Sequence, residues 1–271
     1  MLPTIEIGVL QLNTYWLIYG LAIMAGGMLG YHRLIQGGIP PRQALSGVLL
    51  IIWAGAAGSV LLKSLAITLR DLALTGELAW ELNRGSAFLG ALAGAIGAGW
   101  LWFRRRGVPL GRAFDLWIVA VPLGQAIARL GCLAAACCHG KVTTSWLGLY
   151  LPDHDGLWAV RYPTQLLSSA ADLLIFLALL RLEQAIGRHP QRLGRWRFPG
   201  ALFVAYALLY SAKRFSIEFL RADTVLPLVG VLTLTHVLCA LSFLTALVLG
   251  LREGATRDGR RPLHEMKGAT R

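Results

Sequence analysis

The sequence predicts an all-α, polytopic integral membrane protein of about seven transmembrane helices, with the N-terminus outside and the C-terminus cytoplasmic. Three observations predict it: an apolar composition, seven stretches long enough to span, and a lopsided distribution of basic residues. Of 271 residues, 56% are hydrophobic and 15% charged, and the mean hydropathy is +0.59. Soluble domains carry about 25% charged residues, and a soluble fold with so few would expose large apolar patches. Disorder, coiled coil and a secreted disulfide scaffold are excluded by the same figures. The net charge of +12 would suggest nucleic acid on a soluble chain. Here it is read first as topology, and no nucleic-acid partner is expected.

A spanning helix needs about 20 mostly apolar residues. The stretches that qualify are 12–32, 46–69, 86–103, 113–135, 163–182, 199–220 and 230–251. The first lacks a basic leader and is followed closely by a second, so it is not read as a cleavable signal. Gly55, Gly58, Gly90, Gly94 and Gly97 in the second and third stretches fit close helix packing. No internal repeat is evident, so inverted-repeat transporter logic lacks support.

The basic residues test this map. Arg33, Arg42, Arg104–Arg106, Arg112, the 181–197 group and the tail place 17 of 26 on one side. The other side holds Arg70, Arg84, Lys141, Arg161 and Arg221. The positive-inside rule then puts the C-terminus in the cytoplasm, as seven spans require. Residues 1–251 form the transmembrane domain and 252–271 a basic cytoplasmic tail. The chain is therefore expected in a membrane, with its basic connections and tail in the cytoplasm.

Lys63, Arg129, Lys213 and Arg214 are left within spans. Charge at a helix centre costs at least about 2.5–3.5 kcal/mol, so it marks function or an ion pair. Lys63 and Lys213 are read as snorkelling to the interface. Arg129 lies deeper, and the structural alternative to a binding role is a pair with Asp115 or Glu218. Tyr210, Arg214, Glu218 and Arg221 fall on one helical stripe, with Arg214 and Glu218 an i,i+4 pair. That stripe should face a polar cavity opening towards the outer leaflet. Two guanidinium groups from different helices suit a phosphate, because arginine offers planar bidentate donors. The implied ligand is an anionic phospholipid headgroup.

At these residues the chain resembles the prolipoprotein diacylglyceryl transferase family. The likeness covers Tyr19-Gly20, Phe114-Asp115, Pro122, Ala128-Arg129-Leu130-Gly131, Tyr162-Pro163-Thr164-Gln165-Leu166 and, most specifically, Arg214-Phe215-(x2)-Glu218-Phe219-Leu220-Arg221. The resemblance implies a bacterial inner (cytoplasmic) membrane enzyme that transfers the diacylglyceryl group of phosphatidylglycerol to a cysteine thiol of an exported preprotein, releasing glycerol phosphate. It implies that Arg129 and Arg214 hold the phosphate and stabilise the leaving charge, with Glu218 orienting Arg214 and Arg221. Tyr19, Tyr162 and Gln165 join the substrate-binding set, and no metal or other cofactor is required. Where the family has a catalytic histidine, this sequence has Leu89; other family positions are Cys132, Ala135-Ala136-Cys137, Ser168 and Ala56. The phosphate-binding half is kept and the proton-handling half is replaced.

The replacement is Cys132-Leu-Ala-Ala-Ala-Cys137-Cys138-His139-Gly140-Lys141. Four readings stand for these cysteines. They pack as small apolar groups; or Cys137 or Cys138 is a reactive thiol activated by His139, Lys141 and Arg129; or Cys132 pairs with one of them in a disulfide; or they hold zinc. Against zinc, adjacent residues at one helix end converge poorly. Cys239 is read as an inert small hydrophobe. His139, His154 and Tyr162 are candidate proton acceptors in place of the missing histidine, and the aromatics of loop 141–162 as interface anchors. The leading expectation is a transferase acting on a thiol. Its rivals are a diverged paralogue using Cys137, Cys138 and His139 on a different acceptor, a lipid-binding or transport protein, and a membrane thiol oxidoreductase.

Overall fold

The structure, a computed structural model, describes residues 4–7, 10–76, 88–188, 193, 196–223, 227–229 and 232–258. The chain runs β1 (Thr4–Ile7), β2 (Leu10–Asn13), α1 (Thr14–Gln36), α2 (Pro41–Thr75), α3 (Phe88–Arg105), α4 (Leu110–Ile118) and α5 (Ala120–Ala134). It continues with β3 (Leu149–Pro152), β4 (Trp158–Arg161), α6 (Thr164–Arg188), α7 (Ala201–Glu218), β5 (Pro227–Val229), β6 (Leu232–Thr233) and α8 (Leu234–Asp258). Every apolar stretch contains a helix. Among the described residues, four helical segments are long and apolar enough to cross a membrane: Pro41–Leu69, Leu110–Ala134, Thr164–Arg188 and Leu234–Ala255. Leucines such as Leu174 on α6 and Leu241 and Leu244 on α8 are more than half exposed, which suits a lipid-facing exterior. The protein is an all-α, multi-pass membrane protein, with three two-stranded antiparallel sheets among the described residues.

Local chemistry sets the boundaries. Asn13 Oδ1 accepts the Tyr15 and Trp16 backbone N–H groups and caps α1. α2 opens on Pro41, where a missing N–H costs nothing, and closes on Gly76 in the left-handed conformation. The fourth apolar stretch is two helices. Pro122 has no N–H to give and its ring crowds the carbonyl four residues back, at Ile118, where α4 ends. Within the segment 141–162, read as an outer loop, lies the antiparallel pair β3–β4, with Leu149 opposite Arg161 and Pro152 opposite Trp158. α8 runs to Asp258, so it includes the first residues of the segment read as a tail from 252; the rest of the tail lies outside the described residues.

The chain divides into two compact units, residues 27–116 and residues 1–26 with 117–271. In the first, α2 packs on α3 through glycine: a Cβ on Gly58 would strike the Gly90 carbonyl, and one on Gly94 the Ala54 carbonyl. Gly97, also read as a packing residue, has open space instead. Arg33 is buried and its Nε donates to the Leu116 carbonyl at 3.0 Å, so this arginine does more than set orientation. In the second unit α5, α6, α7 and α8 pack in sequence. Ile118, Val119, Ile175, Leu179, Leu202 and Ala205 form one buried cluster, and Phe198, Ala201, Val204 and Ala246 tie α7 to α8. Gly131 lets α5 approach the Tyr15 carbonyl and Ile18 of α1.

Candidate functional site

The site lies wholly within the second unit, where the ends of α5 and α7 meet the start of α6. Its frame is a short backbone ladder. Lys141 N–H donates to the Leu220 carbonyl (2.8 Å) and Ala222 N–H to the His139 carbonyl (3.1 Å). On the other side Tyr162 N–H donates to the Lys141 carbonyl (3.1 Å) and Thr143 N–H to the Val160 carbonyl (2.9 Å). Residues 139–143 are thus held between the chain leaving α7 and strand β4. Gly140 is required there, because an added Cβ would collide with the Tyr162 carbonyl.

The expected arginine pair is present in part. Arg214 Nη2 lies 2.8 Å from Glu218 Oε2 one helical turn on, and the Glu218 side chain is almost fully buried. Thr233 Oγ1 donates to Glu218 Oε1 at 3.2 Å. Arg129 is half-buried on α5 and makes no ion pair among the described residues. Its guanidinium lies within electrostatic reach of Cys132, Cys138, Tyr210 and Asp172, and of Arg214. Of the structural alternative for Arg129, a pair with Asp115 or Glu218, the Glu218 pairing does not form, since that carboxylate serves Arg214 and Thr233.

Three expectations are corrected. The stripe ends at Glu218, where α7 ends; Arg221 lies in the following turn, in a bridge to Gly140. Asp223, not Glu218, holds Arg221, accepting at 3.0 Å and 2.8 Å from its guanidinium. Lys213 does not snorkel: its Nζ donates to Asp172 Oδ1 at 2.7 Å, with both side chains buried. A lysine next to an arginine within a span reads as a solvated neighbour until its acidic partner, on another helix, is known.

The cysteines converge. The Sγ atoms of Cys132, Cys137 and Cys138 all lie within 4.8 Å of one another. Ala136 (φ 55°) and Cys138 (φ 60°) occupy the left-handed region, which turns the chain back on the helix end and defeats the objection that neighbouring cysteines diverge. Non-glycine residues held there concentrate at functional sites. The first turn of α6 fixes the turn: Gln165 Nε2 donates to the Cys137 carbonyl (2.9 Å) and Thr164 Oγ1 to the Cys138 carbonyl (2.7 Å). Hydrogen bonds from Cys132 and Cys137 pull the Cys138 thiol well below its usual range, with Arg221 and Arg129 adding to the effect. Hydrogen bonding to Cys132 and Cys138 pushes the Cys137 thiol up. All four cysteines of the chain are free thiols. Cys239 is buried on α8, as its reading as an apolar residue expects.

The remaining candidates separate. Gln165 is buried and supports the cysteine turn. His139 Nδ1 is buried without a hydrogen-bond partner among the described residues. Tyr162 is half-buried at the end of β4. His154 is exposed in the β3–β4 turn. Tyr19 is exposed on α1 and stacks on Tyr15 with ring centroids 5.8 Å apart. Leu89 falls in the first turn of α3, in the other unit, and its side chain lies outside the described residues. Sequence reasoning missed His236. It is buried on α8 against Phe215 and Phe219. Its Nδ1 accepts the Thr233 N–H (3.0 Å), which leaves the ring proton on Nε2 and ties it to the residue that hydrogen-bonds Glu218. No spacing signals it, because the link runs through Thr233 of β6, which is 15 positions from Glu218.

The chain matches known proteins along most of its length. The family model described as prolipoprotein diacylglyceryl transferase matches residues 3–252. A phosphatidylglycerol–prolipoprotein diacylglyceryl transferase of Nitratidesulfovibrio vulgaris is 30% identical over 257 residues, 91% of this chain and 90% of that protein. The second such enzyme of Clostridium perfringens is 29% identical over 225 residues, 80% of this chain and 82% of its own length. That of Gloeobacter violaceus is 31% identical over 223 residues, 77% of this chain and 78% of its own.

Proposed function

The chain belongs to the prolipoprotein diacylglyceryl transferase family, and from that premise we propose a diverged transferase whose cysteine cluster handles the acceptor. It is a transferase-type enzyme of a bacterial membrane. The donor is an anionic phospholipid, phosphatidylglycerol first, for which the relatives are named. Arg129 and Arg214 bind its phosphate, and the ion pair with Glu218 keeps Arg214 in one orientation. Both guanidinium groups stabilise the charge that grows on phosphate as the glyceryl carbon–oxygen bond breaks. A thiol is the acceptor chemistry: the sulfur attacks the glyceryl carbon, a thioether forms, glycerol phosphate leaves, and the thiol proton ends on that phosphate or in water. The acceptor carrier differs from the prolipoprotein of the relatives' names, and the site faces outward with the N-terminus.

The observation that carries this reading is the meeting of Cys132, Cys137 and Cys138, two of which, Cys132 and Cys138, lie within electrostatic reach of Arg129, an arginine with no ion pair among the described residues. A lipid transporter has no need of such a group, and a thiol oxidoreductase has no need of the two arginines. The test uses the purified protein in phosphatidylglycerol vesicles, with a lipobox peptide, an unrelated cysteine peptide and a small thiol as acceptors. Mass spectrometry should find a thioether and released glycerol phosphate. Arg129→Ala and Arg214→Ala should each lower the rate by about 10²–10³. Neither product nor release in any arm would sink the transferase reading. A preference for the lipobox peptide would return the protein to the relatives' acceptor.

A further inference from the structure

The three thiols have the geometry of an incomplete tetrahedron. A tetrahedral Zn²⁺ with bonds of about 2.3 Å sets its sulfurs about 3.8 Å apart. The cysteine sulfurs already lie within 4.8 Å of each other, so closing on a cation needs movement of roughly 1 Å along flexible side chains. The backbone does not have to move. It is set by the left-handed residues Ala136 and Cys138 and held by Gln165 and Thr164 from α6. Among the described residues only these three donors form the group; His139, next in the chain, is outside it. Catalytic zinc sites are built this way, with three protein ligands and a fourth position for water or substrate, whereas structural sites close with four.

Charge supports the same occupant. Three thiolates and a divalent cation together carry a charge of −1. Arg129 and Arg221, both acting on Cys138, supply compensating positive charge at that point.

We infer that Cys132, Cys137 and Cys138 bind a thiophilic divalent cation, Zn²⁺ or its like, whose fourth position takes the sulfur of the acceptor thiol. This rests on the transferase reading and deepens it, by assigning the replacement for the histidine absent at Leu89. It departs from the metal-free expectation. That expectation concerned the phosphate end, where the arginines suffice; the cation serves the sulfur end. The acceptor R–SH displaces water from the metal and loses its proton, because a coordinated thiol is deprotonated outright. The metal-bound sulfur attacks the glyceryl carbon. The sulfur–carbon bond forms as the carbon–oxygen bond breaks, and the electron pair goes to the phosphate oxygen held by Arg129 and Arg214. The proton ends on glycerol phosphate or in water, and nothing is oxidised or reduced. The neutral thioether, a far weaker ligand, leaves.

The test loads the full-length reduced protein in detergent with Zn²⁺ alone, removes excess and measures metal per chain. About one Zn²⁺ is expected, retained in Cys239→Ser and lost in Cys132→Ser, Cys137→Ser and Cys138→Ser variants that keep wild-type helical content. Replacement by Co²⁺ should give a thiolate-to-metal charge-transfer band that shifts when an acceptor thiol is added. That shift reports the open position even if a serine variant misfolds. No stoichiometric metal, or a Co²⁺ spectrum indifferent to thiol, overturns the inference. Undiminished transfer after complete chelation also overturns it, and leaves the transferase reading standing. Zinc bound at one per chain with a thiol-responsive Co²⁺ band, but no transfer, upholds the site and sinks the transferase reading alone.

Discussion

At the scale of single residues, the bundle treats its charged side chains in two ways. Arg214 and Arg129 keep side chains that are only half-buried, whereas Lys213 and Asp172 are paired with each other and shut away. The second arrangement is structural. Removing one partner from a buried pair strands a charge and costs about 3–5 kcal/mol, while replacing both with apolar groups of similar volume is neutral or stabilising. Asp172→Asn should therefore lower stability by about 3–5 kcal/mol in reversible unfolding from mixed micelles. The double variant Lys213→Met, Asp172→Leu should recover it and retain lipid binding. Failure of the double variant to recover would give the pair a role in the site. Of this, the sequence shows Lys213 within a span but not its partner, since Asp172 lies 41 positions away on α6.

At the scale of elements, what the sequence shows is periodicity and length, and what it hides is where the chain turns. The seven apolar stretches foretell the helices, and the i,i+4 spacing foretells the Arg214–Glu218 pair. The break between α4 and α5 follows from Pro122, but apolar residues on both sides disguise it. Arg221 leaves the expected stripe because α7 stops one turn early to pair with residues 139–141, a contact between segments far apart in sequence. The cysteine convergence depends on two left-handed residues that are not glycine, which no composition signals. The β3–β4 hairpin is likewise hidden, and its turn is held by Asp153. Its carboxylate accepts the Leu157 and Asp155 N–H groups and pairs with Arg161 at 2.7 Å. The Leu157 hydrogen bond, with Arg161 adding to it, holds this carboxyl below its ordinary value. A group whose folded pKa is depressed stabilises above its unfolded pKa and loses that contribution as pH falls through the folded value. The hairpin should thus be unaffected at neutral pH and loosen below about pH 4, where free aspartate begins to protonate. Fluorescence of Trp158, which lies against Tyr150, should show an acid transition that Asp153→Asn removes by giving the loosened signal at all pH values. An identical profile in the variant would mean that the turn does not depend on this carboxylate.

At the scale of the whole molecule, the basic excess and the site make one joint demand. If the C-terminus is cytoplasmic, the connection near residue 108, the segment after α6 and the tail all face the cytoplasm, and the cysteine turn lies on the opposite face. The support is the distribution itself: 17 of 26 basic residues on one set of connections. Short loops rich in lysine and arginine resist translocation, and that bias orients the bundle. Topology reporters fused after residues 108, 190 and 258 should report cytoplasmic, and one fused at residue 154 periplasmic. Thiol labelling gives an independent reading. A membrane-impermeant maleimide applied to intact spheroplasts should reach a cysteine introduced at exposed His154 in a chain otherwise lacking cysteine, and should not reach one at exposed Arg105 until the membrane is opened. The outward side is also where an exported acceptor would arrive and where free thiols are most at risk of oxidation. A bound cation would protect the three cysteines there, since coordinated sulfur is withheld from disulfide formation. The reverse labelling pattern would place the thiols in the reducing cytoplasm, and the acceptor would then have to be a cytoplasmic thiol.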